Sequence, residues 1–336
     1  MLALLISFLV SILTLNTLPL PESFAPEARI FRFLDQTQAV ASDAGKKVKG
    51  VSVRSFPQLH LQDPPVYSRE ISSKYNHPWR NNSSSFLKLN QGNAAVWGIK
   101  SGSFLWEKKG EEQVPLASIT KLMTALVFLE HNPGWDKVYE VQRKDRREGG
   151  RIHVYLGDKI EIKELFNLSL VASANTATMG LVHSTGMTEE EFVREMNKKA
   201  EEIGLVKTRF QDPVGLDSGN VSTPKEAAQI TKRALSHQRI QQATLKGEYS
   251  FTTEQGDKRQ VDSTDRLLDV FPYKRIELLG GKTGYTPEAG YCFVGKFRDP
   301  QGHEIISVIL NTESEKARFE KTKQLVEWVY DSYSWE

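Results

Sequence analysis

A lysine inside an apolar helix is the strongest constraint in this chain. The stretch "PLASITKLMTALVFLE" covers residues 115–130, and Leu122, Met123, Leu126, Val127 and Leu129 recur at helical spacing. Lys121 stands inside that run, one turn after Ser118. Most helix lysines lay their stems along the surface and keep the amine in water. Here Leu122, Ala125 and Leu129 leave little polar surface on that side. The fold is therefore expected to enclose an amine, and burial disfavours its charged form. The i, i+3 spacing puts Ser118 and Lys121 on one face, within reach of each other. A hydroxyl beside an uncharged amine is a candidate nucleophile beside its base.

Enclosing that amine needs a core, and the chain has the means: 336 residues, 39% of them hydrophobic, enough for one large domain or two small ones. The net charge of +2 gives no argument for nucleic acid or an acidic membrane surface. The single cysteine, Cys292, can form no internal disulfide and makes no metal-ligand cluster with the 7 histidines. It reads as a small buried thiol.

The N-terminus differs from the rest. "MLALLISFLVSILTLNTLPL" carries no charge. It reads as a signal peptide, with "SFA" at 23–25 allowing cleavage after Ala25, or as an uncleaved anchor, since about 20 residues can span a bilayer. Neither reading finds its usual basic leader; Arg29 and Arg32 follow the run instead. A buried core helix fits less well, because the first 15 residues offer no polar face. The expectation is export to a periplasmic or other extracytoplasmic site. Residues 26–91 contain "DAGKKVKG", "QDPPVYS" and "NHPWRNNSSS" and read as a poorly structured lead-in.

Residues 92–336 are denser and read as the working domain. "AAVWGIKSGSFLWEKK" predicts two strands with a tight turn at Ser101-Gly102. Residues 159–187 read as a helical block and 188–204 as an amphipathic helix. Thr223, Pro224 and Glu226 look like an N-cap, a first-turn proline and a capping-box acid. "LLGGKTGYTPEAGYCFVGKFRDPQGHEIISVILN" predicts three strands, and "EKARFEKTKQLVEWVYDSYSW" a closing helix. Strands at both ends with helices between predict an α+β fold, an antiparallel sheet flanked by helices with a helical subdomain.

Three short patterns carry chemistry, and each has a decoy or a bland reading. Ser-x-x-Lys occurs at Ser118/Lys121, but also at Ser85/Lys88 and Ser222/Lys225. The decoys lie in a polar linker and beside a helix cap. Ser-x-Asn occurs at Ser173/Asn175, inside the apolar "SLVASANTATMG", and again at Ser218/Asn220 in a Gly- and Asp-rich turn. Lys282-Thr283-Gly284 occurs once, and its glycine would let a ligand's backbone lie close to a strand edge. The productive set runs in the order Ser118, Ser173, Lys282, separated by 55 residues (118 to 173) and 109 residues (173 to 282).

This ordered set resembles the penicillin-binding and serine β-lactamase superfamily, and most closely its D-alanyl-D-alanine carboxypeptidases of low molecular mass. "PLASITKLMTALVFLE", "LSLVASANTATMG", "FQDPVGLDSGNVSTPKEAA" and "GGKTGYTPEAGYCFVG" all look like blocks of that family, and the resemblance covers about residues 92–332. It implies a β-lactamase/transpeptidase-like fold. It implies cleavage of the terminal D-alanine from peptidoglycan stem pentapeptides through an acyl-enzyme on Ser118, trapping by β-lactams, and no metal or organic cofactor. Relatives often carry a further β-rich domain and an amphipathic C-terminal anchor. The sequence given stops after the closing helix, so attachment to a membrane is expected from the N-terminus. Thr176 departs from the family's usual residue after Ser-x-Asn.

On this resemblance Lys121 is the general base, its pKa lowered from about 10.4 by burial and by Lys282 as a second cation. Ser173 relays the proton to the leaving amine. Asn175 orients Lys121 and the substrate amide; Ser173 and Asn175 could instead cap a helix locally. Lys282, Thr283 and Gly284 line the strand that receives the peptide's carboxylate, with Arg318 as a further carboxylate ligand from a neighbouring loop or, equally, a solvated helix charge. Backbone N–H groups of Ser118 and Tyr285 form the oxyanion hole. The runner-up is a DD-endopeptidase acting on cross-links with the same motifs. A β-lactamase is disfavoured because Glu201 and Glu202 are followed by "IGLVKT", with no Glu-x-x-x-Asn. A non-catalytic peptidoglycan-binding protein is disfavoured because Ser118, Lys121 and Lys282 are all present.

Overall fold

Two strands from the start of the domain and three from its end complete one sheet. The computed structural model describes residues 78–81 and 89–335, all within one unit spanning 66–336. β1 (Asn93–Gly98) and β2 (Ser103–Lys108) form the first hairpin; β3 (Glu277–Thr286), β4 (Gly290–Arg298) and β5 (Glu304–Thr312) lie far along the chain. The sheet order is β3-β4-β5-β1-β2, antiparallel throughout, with Val96 opposite Ser307 where the two segments join. β3, which carries Lys282, is an edge strand.

Period-two alternation feeds both faces of this sheet. Along β5, Ile306, Val308 and Leu310 enter one core, while Ile305 and Ile309 enter another. The first core also takes the apolar residues of α1 (Thr120–Glu130), α2 (Ile162–Val171), α3 (Asn175–Ser184), α4 (Glu189–Glu202), α5 (Pro224–Leu235) and α6 (Gln238–Thr244). The second is covered by α7 (Glu315–Ser332), through Phe319, Leu325, Val326 and Val329. This is the α+β arrangement expected from the sequence.

Local signals set the helix starts. Thr188 and Glu191 close a capping box at α4. At α5, Pro224 fills the first turn and Thr223 Oγ1 accepts the Glu226 N–H at 3.1 Å. The box expected there is not completed. The Glu226 carboxylate instead accepts the N–H groups of Val206 and Lys207 and the Thr208 hydroxyl, so it fastens a distant loop.

The expected helical block 159–187 is divided. Lys159–Glu161 is a strand paired with Val138–Glu140, and α2 and α3 are separated by residues 172–174. The apolar text runs through the break because both helices are largely buried, so periodicity does not mark it. At the break Ser173 adopts φ 55°, a left-handed conformation uncommon outside glycine.

Residues 1–25 and most of 26–91 lie outside the described residues, as do Ser85 and Lys88. Part of the lead-in is paired: Trp79–Arg80 runs antiparallel to Tyr333–Ser334, and the Asn81 N–H donates to Ser332 O at 2.8 Å. Ordered pairing thus begins before the boundary expected at residue 92. Among the described residues no helix is long and apolar enough to cross a membrane.

Candidate active site

The residues before Ser118 are clamped on both sides. Val114–Pro115 pairs with Val221–Ser222, and the Leu116 N–H donates to Asn220 O at 2.9 Å. Ser118 follows in a 3-10 turn, Ala117–Ile119, that runs straight into α1. Ala117 holds φ 47°, so the backbone bends against steric preference immediately before the hydroxyl.

Lys121 is fully buried, and its Nζ has three partners: Ser118 Oγ at 2.8 Å, Asn175 Oδ1 at 2.8 Å and Val214 O at 2.7 Å. The Asn175 amide is oriented by its other end, where Nδ2 donates to Gly149 O at 2.9 Å. Two of the three partners can only accept, and a neutral amine has two hydrogens for them. Its lone pair then faces Ser118, where it can take the hydroxyl proton. Burial pushes the Lys121 ammonium down to about 7, against an opposing pull from Asp212.

The second amine lies on β3. Lys282 is 1% exposed, and its Nζ donates to Ser173 Oγ at 2.9 Å and to Thr283 O at 3.0 Å. Burial holds it well below its ordinary value, with repulsion from Lys121 and Arg318 adding to the effect and Asp265 opposing it. The repulsion expected to act on Lys121 therefore falls on Lys282, and burial carries the shift at Lys121. Ser173 stands in the break between α2 and α3, and Asn175 opens α3. Neither caps a helix through its side chain in the described hydrogen bonds.

Gly284 has a structural reason nearer than a ligand. A Cβ there would stand 2.8 Å from Leu116 O and 3.2 Å from Ala117 Cβ. The missing side chain lets β3 press against the turn that carries Ser118. Tyr285 is 51% exposed and stacks on Tyr291 at 4.2 Å. Arg318 lies on the first turn of α7, neither on a loop nor solvated: it is 5% exposed. Its Nη1 donates to Gly284 O at 3.2 Å, which ties it to the same strand.

Several participants were not singled out in the sequence. Val214 contributes a backbone carbonyl, and Asp212 builds the turn that presents it, taking the N–H groups of Val214, Gly215 and Asp217 on its two oxygens. Asn220, the bland Ser-x-Asn decoy, is fully buried; its Oδ1 accepts from Gln211 and Asp212, and its Nδ2 donates to Thr120 Oγ1. The usable signal was the density of Asp, Gly and Asn in "DPVGLDSGN", which favours such side-chain-to-backbone turns. The other decoy, Lys225, is spent in ion pairs with Glu107 and Glu111.

Comparison with known proteins gives the family of the chain. Residues 80–314 match the family described as D-alanyl-D-alanine carboxypeptidase. The chain belongs to this family. It is 31% identical over 242 residues to D-alanyl-D-alanine carboxypeptidase DacF of Bacillus subtilis (strain 168), a match covering 69% of this chain and 60% of that protein. It is 34% identical over 217 residues to the D-alanyl-D-alanine endopeptidase of Haemophilus influenzae, covering 62% of this chain and 72% of that one. The fold is similar to Penicillin-Binding Protein D2 of Listeria monocytogenes, solved in a cefotaxime-bound form, with TM-score 0.62 and 31% identity over 74% of this chain and all of that one. The family's fold is thus the fold of this chain.

Proposed function

We propose that this family member is a serine-type D-Ala-D-Ala carboxypeptidase that removes the terminal D-alanine from peptidoglycan stem pentapeptides. The observation that carries the reading is the Lys121 amine, buried at 2.8 Å from Ser118 Oγ, with Asn175 Oδ1 and Val214 O placed to accept the two hydrogens of its neutral form. Ser118 Oγ attacks the carbonyl carbon of the penultimate D-alanine as Lys121 takes its proton. The negative charge that develops on the carbonyl oxygen is met by the N–H groups of Ser118 and Tyr285, and one such donor contributes about 2.7–4 kcal/mol when well aimed. The C–N bond then breaks, and the departing D-alanine nitrogen receives a proton through Ser173, which Lys282 holds at 2.9 Å. Lys282, Thr283 and Arg318 receive the terminal carboxylate. Water, deprotonated in turn by Lys121, hydrolyses the ester and restores Ser118.

Slow release of a β-lactam belongs to the same reading. Both carboxylate oxygens of Asp212, on the loop facing Ser118, are taken by backbone N–H groups and so are poorly placed to activate water. The enzyme acts outside the cytoplasm, delivered or tethered by residues 1–25. Mass spectrometry after exposure to penicillin tests the reading: a stable adduct on the peptide containing Ser118, with D-alanine released from pentapeptide, is expected. No adduct and no D-alanine sinks it. The endopeptidase reading draws on the 34% identity to the Haemophilus influenzae endopeptidase. Faster turnover of cross-linked than of linear muropeptides selects it.

A further inference from the structure

The proposed chemistry leaves one buried acid unused. Asp265 caps the 3-10 turn Arg266–Asp269, its Oδ1 accepting the Leu267 N–H at 2.9 Å. It is 5% exposed, and its Oδ2 has no hydrogen-bond partner. That oxygen lies 3.0 Å from where a Cβ on Gly281 would stand, so glycine lets the carboxyl press against β3 one residue before Lys282. The same segment is bound to the strand at Thr264, whose Oγ1 lies 2.6 Å from Thr283 Oγ1.

A cap alone does not call for this arrangement. Asn or Ser would cap the turn equally well without a second buried charged oxygen. The charged groups acting on Asp265 are Lys282 from β3, Arg318 from α7 and Asp269 from its own turn. Arg318 meets Gly284 O through Nη1 and the Glu315 carboxylate through Nη2, each at 3.2 Å, and leaves its buried Nε unpaired. Lys282 is repelled by both Lys121 and Arg318, and Asp265 is the acid that opposes this repulsion.

We propose that Asp265 is a positioning residue: from behind β3 it supplies the counter-charge that keeps Lys282 protonated beside Arg318, so that the two cations can hold the substrate's terminal carboxylate. The inference rests on the functional reading above and adds to it a residue that touches no reacting atom. Burial pushes the Asp265 carboxyl up to about 7, so its charge appears as the solution passes neutrality. Below neutrality the Asp265 carboxyl is itself protonated and supplies no charge. Above neutrality the carboxylate is charged and opposes the repulsion that Lys121 and Arg318 exert on Lys282.

The test is the rate of acylation by a carboxylate-bearing fluorescent penicillin from about pH 6 to about pH 10, in the unmodified enzyme, Asp265→Asn and Asp265→Ser. Both substitutions keep an acceptor for Leu267 and remove the charge; if one fails to fold, the other carries the test. The expected result is an alkaline limb that falls about one pH unit earlier, roughly a tenfold loss at the same alkaline pH. The loss appears in apparent affinity rather than in limiting rate, and it vanishes towards pH 6. Coincident profiles, or a uniform loss at every pH, overturn the inference and leave Asp265 a structural cap. An unmodified enzyme that the penicillin never labels overturns the functional reading itself, a separate and recognisable outcome.

Discussion

The Val214 carbonyl stands 2.7 Å from Lys121 Nζ, and a carbonyl can only accept. With Asn175 Oδ1 also accepting, an amine of two hydrogens is fully used and its lone pair is left for Ser118. Acylation is therefore expected to rise with pH through about 7, where the buried ammonium gives up its proton. Stopped-flow labelling with a penicillin measures this limb; a rate independent of pH between about 5 and 9 contradicts it.

Stability carries the same signature. Unfolded lysine keeps its proton to about 10.4, whereas folding holds Lys121 to about 7 and Lys282 well below its usual value. Between those limits the unfolded chain binds more protons, so stability rises with pH across the window and these amines weaken the fold as pH falls towards 7. Urea midpoints at several pH values should show the slope, and replacing either amine with methionine should flatten it.

Lys121→Arg keeps the length and the positive charge but cannot deprotonate. A fall of roughly 10²–10⁴ in acylation rate is expected, the usual range for losing a general base. Circular dichroism beside the labelling assay separates this loss from unfolding.

Asn220→Ala strips the loop that presents Val214 of its buried amide. Leaving the groups it satisfied without partners is expected to cost about 2–4 kcal/mol. Acylation should slow as well, because the Leu116 N–H and the Val214 carbonyl both depend on this loop. A variant with unchanged melting temperature and unchanged labelling would show that the loop holds itself.

Cys292 should resist alkylation in the native enzyme. It is fully buried, and burial pushes its thiol up to about 11. Maleimide modification only after denaturation is the expected result.

Side chains with an unusual residue for their setting were legible in the sequence. An amine in an apolar helix, a polar interruption in "SLVASANTATMG" and a Lys-Thr-Gly before a strand drew attention to groups that the fold gathers. The antiparallel sheet was legible because β3, β4 and β5 are long and bounded by turn residues. Val214 was not, since a backbone carbonyl has no letter of its own. Glu226 misled because its spacing fits a capping box while its carboxylate finds better donors 19–20 residues away. Asp265 sits in an ordinary-looking turn, and only the sheet brings it behind Lys282. Gly284 reads in the sequence as room for a ligand, but the backbone it accommodates is that of Leu116, from a segment remote in sequence.

Ala117 and Ser173 both sit in the left-handed region, one beside the proposed attacking hydroxyl and one bearing the proposed relay. Each such residue without glycine's freedom gives up something of order 1–3 kcal/mol. Glycine at either place would relieve the tension and toughen the protein against heat, yet at 117 it would let the neighbouring hydroxyl wander and at 173 it would remove the hydroxyl that Lys282 holds. A lineage bred only for endurance would be drawn to those two kinks first, and its catalytic speed would be the casualty.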